Sequence, residues 1–186
     1  MITYTAANSP ADLYGILELQ KANLSSNLSP EEIQSQGFVT VIHTFEQLSK
    51  LNNVEKHIIA KSGDKVIAYI LAMTQAASSD IPVLVPMFNE FNKINYKNNL
   101  IKDYDYIVVG QTCVDKEFRG QGIFDKCYDA YRNTYHKKYD FAITDIVKIN
   151  ARSLQAHKRK GFKEIKTFTA DNTEWVIVLW DWKENS

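Results

Sequence analysis

The sequence predicts a single α/β domain, in which a mixed, mostly antiparallel, twisted sheet of about seven strands is flanked by helices. Three observations predict it. Runs rich in Ile, Val, Ala and aromatic residues come in pairs joined by short turn signals, the mark of antiparallel hairpins. A strand–helix–strand unit over 106–147 makes the sheet mixed. No repeat, low-complexity tract or composition break divides the 186 residues, a length that one hydrophobic core can serve.

Residues 2–6 alternate weakly and read as an edge strand. Ser9-Pro10-Ala11-Asp12 is a helix start, with Ser as N-cap, Pro at N1 and an acid at N3. Leu13, Ile16, Leu17 and Leu19 give that helix its apolar face, which fades near Ala22. Ser29-Pro30-Glu31-Glu32 repeats the start signal for a second helix that Gly37 ends. Phe45, Leu48 and Leu51 recur at helical spacing and predict a third. The runs 57–60 and 66–73 flank Ser62-Gly63-Asp64 and form a predicted hairpin. A long connection over 75–104, with Pro82, Pro86 and several aromatics, belongs to the functional, partly helical or mobile class. Beyond it come a strand over 106–114, a helix over 122–138, a strand over 141–147 and a helix over 151–160 stopped by Gly161. Strands over 163–169 and 175–182 close the chain around the turn signal Asp171-Asn172.

Lys plus Arg and Asp plus Glu both number 22, which argues against bulk electrostatic binding to nucleic acid or to an anionic membrane. Cys113 and Cys127 have neither metal-ligand spacing nor a disulfide framework, and read as buried thiols in a reducing compartment. The N-terminal residues lack signal-peptide character, and no apolar run approaches the ~20 residues that span a bilayer. A cytoplasmic location is the expectation.

The segment that carries chemistry is Val114-Asp115-Lys116-Glu117-Phe118-Arg119-Gly120-Gln121-Gly122. A strand ends, a charged turn follows, and two glycines open a helix. Backbone N–H groups at a helix N-terminus are unsatisfied and the helix dipole favours negative charge there, so the arrangement suits an anion. Glycine lets the backbone approach a phosphate closely, and Arg119 adds positive charge at the rim. The Walker pattern fails because no Gly-Lys-Ser/Thr follows, and the dinucleotide fingerprint fails because Asp125 stands at its third glycine. On spacing alone, Gly120 and Gly122 are also compatible with a tight strand-to-helix turn and nothing more.

The second segment is Asn150-Ala151-Arg152-Ser153-Leu154-Gln155-Ala156-His157, running on to Gly161-Phe162. Together the two segments resemble the GNAT acetyltransferase superfamily, whose pattern is Arg-x-x-Gly-x-(Gly/Ala) and, about 25 residues later, Asn-x-x-Ser/Ala-x-x-x-Tyr-x-x-x-Gly-Phe. The resemblance covers most of the chain from about His57 onward. It departs at two positions: Phe124 stands where the family has Gly or Ala, and His157 where it often has Tyr.

The resemblance implies an N-acetyltransferase with acetyl-CoA as cosubstrate, no metal, and a small-molecule or peptide amine as acceptor. It implies direct attack in a ternary complex, and leaves a homodimer open. The implied coenzyme contacts are Cys113, Val114, Arg119, Gly120, Gln121, Gly122, Ile123, Phe124, Asn150 and Ser153. The strand before the phosphate loop is expected to bulge at Thr112-Cys113-Val114, with the Val114 N–H as oxyanion donor. His157 takes the position of the acid that protonates the departing thiolate, and Gln111 is a candidate for orienting acceptor or water. Asp105, Asp115, Glu117, Asp145 and Glu90 are all conceivable bases. His43, His57 and His136 read as surface or satisfied histidines, and Lys158, Arg159 and Lys160 as a solvated face or a 3′-phosphate contact. A non-catalytic acyl-CoA-binding module and a transferase for another acyl-CoA, such as succinyl-CoA, are the alternatives.

Overall fold

The computed structural model describes residues 1–79 and 81–183. Its elements follow the expected order. They are β1 (Ile2–Ala6), α1 (Pro10–Ala22), α2 (Pro30–Gln36), α3 (Phe45–Val54), β2 (Ile58–Ser62) and β3 (Lys65–Met73), then α4 (Val85–Phe91), β4 (Asn95–Tyr96) and β5 (Asn99–Leu100). The second half holds β6 (Tyr106–Val114), α5 (Ile123–Tyr135), β7 (Phe141–Val147), α6 (Ala151–Lys160), β8 (Lys163–Ala170) and β9 (Thr173–Asp181). The connection between β3 and β6 is thus largely structured, with α4, short 3-10 turns and the β4–β5 ribbon inside it.

Local chemistry fixes the helix starts. Ser9, Ser29 and Thr44 each accept from the N3 backbone N–H while the N3 side chain returns a bond to the cap, a complete capping box three times over.

Seven strands form one sheet in the order β1-β2-β3-β6-β7-β9-β8. All neighbours are antiparallel except β6 and β7. That parallel pair holds only at Tyr106–Phe141, Ile107–Ala142 and Val108–Ile143, after which β6 stays with β3 while β7 stays with β9. The sheet therefore forks. At the crotch the Thr144 hydroxyl donates to the Val109 carbonyl at 2.7 Å, standing in for the ladder bond lost there.

Two cores lie on the two faces. Leu13, Ile16, Leu48, Phe88 and Phe91 pack beneath α1, α3 and α4 on one face; Ile123, Cys127, Tyr128, Tyr131 and Leu154 pack beneath α5 and α6 on the other. The expected bulge falls two residues earlier than the 112–114 stretch. Leu71 pairs with Gln111 and Ala72 with Val109, so Gly110 is the extra residue of β6. A Cβ there would come within 2.2 Å of Met73 Cε, which is why the step occurs at glycine.

Candidate active site

The slip at Gly110 exchanges the faces of β6. Tyr106 and Val108 belong to the core under α1, and after the extra residue Gln111 and Cys113 face that same side, leaving Val114 against the α5 core. Ladder parity sets the backbone as well. The Asp115 N–H donates to the Ile67 carbonyl at 2.8 Å, so Cys113 exchanges bonds with Tyr69, while the N–H groups of Thr112 and Val114 turn away from β3 toward the fork.

A cleft of about 600 Å³ opens there, lined by Thr112, Val114, Gly120, Gly122, Asn150 and Ser153 among others. Gly120 and Gly122 both adopt left-handed backbone, at φ 77° and 74°, and a Cβ on either would meet nothing within 4 Å. Gly122 is the N-cap of α5 and no side chain caps that helix, so its first-turn N–H groups face the cleft without a side-chain acceptor. The residues present fit a pyrophosphate at this point.

Gln121 is exposed and donates to the Glu117 carbonyl, while Ile123 is buried. Phe124 fills the space between α5 and α6, its ring 4.8 Å from Tyr128 and 5.2 Å from His157. Asp125 meets Arg159 at 3.5 Å, and both line the same cleft. Lys158 pairs with Glu164 at 2.8 Å, and Lys160 with Asp129 at 2.5 Å.

Arg119 is a fastener as well as a charge. Its Nε donates to the Val114 carbonyl at 3.0 Å, Nη1 to the Gln36 carbonyl and Oε1, both at 3.1 Å, and Nη2 to Asn23 Oδ1 at 2.6 Å. Asn150 does the same at the other lip: its Oδ1 accepts from the Ser153 N–H and its Nδ2 donates to the Phe38 carbonyl at 3.0 Å. Residues 36–39 are thereby strapped across the fork between the two motifs. No sequence signal beyond the helix-ending Gly37 points to this strap.

Gln111 lines the second cleft and is held there by a buried network. Its Oε1 accepts from Tyr69 at 2.6 Å and from Gln20 at 3.1 Å, and its Nε2 donates to the Val41 carbonyl. Gln20 also binds His43, so the group anchors the segment behind the strap to β6. His57 is buried and satisfied by the Ala72 N–H and the Leu48 carbonyl.

His157 is buried, and burial lowers its imidazole to about 4, so it is neutral near pH 7. Nδ1 lies 2.8 Å from the Ser153 carbonyl, an acceptor, so Nδ1 carries the proton and Nε2 accepts from the Tyr128 hydroxyl at 2.7 Å. Tyr128 lies on α5 at a position whose periodicity marks only core, yet its hydroxyl also reaches the Thr112 side chain at the fork. Both thiols are pushed by burial up to about 12, which makes them poor nucleophiles.

A second cleft of about 240 Å³ lies on the α1 and α4 side of the fork. It shares Phe38, Val39, Thr112, Asn150 and Ser153 with the first, so the two meet at the fork. Among the carboxylates considered from sequence, Asp145 lines this second cleft. Asp115 is paired with Lys65 at 2.8 Å, Glu90 binds Lys93 and Lys166, and Asp105 and Glu117 are exposed.

The chain shares the GNAT fold with solved N-acetyltransferases. The ribosomal-protein-S18-alanine N-acetyltransferase from Escherichia coli superposes with a TM-score of 0.62 at 10% identity, over 97% of this chain and 94% of that one. A NatC complex bound to Gag peptide and CoA matches with a TM-score of 0.63 at 16% identity, over 97% and 98%. The yncA protein from Salmonella typhimurium, solved with its cofactor acetyl-CoA, gives 0.63 at 11% identity, over 98% and 95%. No protein-family model and no curated protein matches the sequence.

Proposed function

We propose that the chain is an N-acetyltransferase that moves an acetyl group from acetyl-CoA to an amine by direct attack in a ternary complex. The observation that carries this reading is the junction of two clefts at the fork, one floored by the open backbone of Gly120 and Gly122. The coenzyme supplies an activated acetyl group as a thioester, and the chain supplies binding, orientation and charge stabilisation.

In this reading the N–H groups of Gly120, Gln121, Gly122 and Ile123 hold the pyrophosphate, with the α5 dipole and Arg119 adding positive potential. Cys113, Phe124, Asn150 and Ser153 contribute backbone and walls along the same groove. The Thr112 and Val114 N–H groups, fixed by ladder parity, stabilise the negative charge that develops on the acetyl oxygen. Gln111 anchors the segment behind the strap and lines the second cleft, where it orients acceptor or water. His157 is a positioning residue for the Tyr128 hydroxyl, and a thiol with pKa about 8.5 needs only modest help to leave.

Isothermal titration with acetyl-CoA tests the reading, and folded protein that shows no binding sinks it. Thiol release across a panel of amines separates an enzyme from a pure acyl-CoA binder, which titrates without turnover. Competition between acetyl-CoA and succinyl-CoA identifies the donor.

A further inference from the structure

The second cleft has a chemical signature of its own. Among the described residues that line it there is no lysine and no arginine. Its walls include Val41, Leu84, Met87, Phe168 and Trp175, and its titratable groups are Asp145, Asp171 and His157. Asp171 is exposed in the β8–β9 turn, and His157 is the neutral imidazole already tied to Ser153 and Tyr128.

Asp145 differs from both. It lies on the part of β7 beyond Ile143, where β7 has left β6 and pairs with β9 alone. Strand alternation puts it on the face of Ile143, which is the face of the core under α1 and α4. No described cation lies within ion-pair distance of its carboxylate. A carboxylate beside a vacated ladder, in a cleft of apolar and neutral polar walls with no described cation, is suited to receive one positive charge. By the same reasoning, a ligand carrying its own carboxylate finds no cation among the described lining residues, only neutral amide and hydroxyl groups, and meets the Asp145 charge.

Resting on the proposed acetyl transfer, we infer that the acceptor is a small primary amine on an apolar, carboxylate-free body, bound and deprotonated by Asp145. The ammonium gives one proton to the Asp145 carboxylate, which frees the nitrogen lone pair. That pair forms the N–C bond to the acetyl carbon, and the C–S electrons leave with sulfur. The second proton lost by nitrogen matches the one the thiolate takes up, and the proton on Asp145 passes to solvent. Burial raises this carboxyl to about 7, so at neutral pH it alternates readily between base and acid.

The test uses the whole chain with acetyl-CoA and two matched probes, phenethylamine and phenylalanine, which differ by one carboxylate. Coenzyme binding is measured first by titration. Phenethylamine is expected to show kcat/KM at least 100-fold above phenylalanine, with a limb that rises through about pH 7. In Asp145→Asn, coenzyme affinity is expected to hold within about 3-fold while phenethylamine affinity for the CoA complex falls at least 10-fold and the pH limb disappears. Equal use of both probes overturns the inference, as does acetylation of neither, preference for a peptide N-terminus, or an Asp145→Asn enzyme with unchanged amine affinity and pH profile. The comparison of probes on the native chain decides the matter even if the variant does not fold. Failure of the native chain to bind coenzyme, or binding with no thiol release across the whole amine panel, overturns the proposed function, whereas turnover without the amine preference overturns this inference alone.

Discussion

Placing a glutamate at Gly122, alongside an alanine at the same position, isolates the phosphate cradle from the backbone that forms it. Gly122 sits at φ 74° and a Cβ there meets no atom within 4 Å. Gly122→Ala therefore carries a left-handed backbone cost of roughly 1–2 kcal/mol and no clash. For a domain of this size that lowers Tm by about 2–8 °C. Gly122→Glu carries the same backbone cost, so the two variants melt together. Their coenzyme affinities differ. A carboxylate about 5 Å from one phosphate charge, at an effective dielectric of about 20, is repelled by ~3 kcal/mol, on the order of a 200-fold loss. Isothermal titration with CoA at about 0.1 M salt, beside thermal melts of both variants, reads the two effects separately. Equal CoA affinity for the glutamate and alanine variants refutes the cradle, because the charge then lies away from any phosphate.

Three further predictions follow from the geometry. Tyr128→Phe strips His157 Nε2 of its 2.7 Å donor and leaves a buried acceptor unsatisfied, so stability falls by ~1–3 kcal/mol in urea melts while CoA affinity stays within about 3-fold; unchanged stability contradicts the assigned tautomer. Asn150→Ser keeps a cap for α6 but loses the bond to the Phe38 carbonyl, whereas Asn150→Ala loses both and costs about 1 kcal/mol more; hydrogen exchange at residues 36–39 rises in both, and unchanged exchange there removes Asn150 from the strap. Stability depends on pH through His43, His57 and His157, each lowered by burial to about 4. Their unfolded values lie near 6.5, so below that pH the unfolded chain binds more protons and stability falls until about pH 4. Asp145, raised to about 7, acts in the opposite sense, since its folded form holds a proton that the unfolded chain lacks. The difference, three histidines against one carboxyl, leaves two protons, or about 3 kcal/mol per pH unit at the steepest. Urea melts between pH 7.5 and pH 5 that superimpose rule this out.

What the sequence determined by itself is local in origin. The three capping boxes, the glycines at 120, 122 and 161, and the alternation of the strands are decided by residues within a few positions of one another. The element order and the glycine turn ahead of α5 were legible for that reason. The exact pairing of β6 was less so, because the slip at Gly110 answers to Met73 across the sheet. Only the tertiary structure decided the rest. The strap is tied by Arg119 to Gln36 across 83 residues and by Asn150 to Phe38 across 112, and no local pattern encodes a contact at that separation. Tyr128 was legible as core, but its partnership with His157 depends on how α5 packs against α6. Among five carboxylates that look alike in sequence, Asp145 was set apart by the fork in the sheet. Desolvation is a property of what surrounds a group in space, and it left this one carboxyl half buried with a backbone hydrogen bond but no described cation beside it.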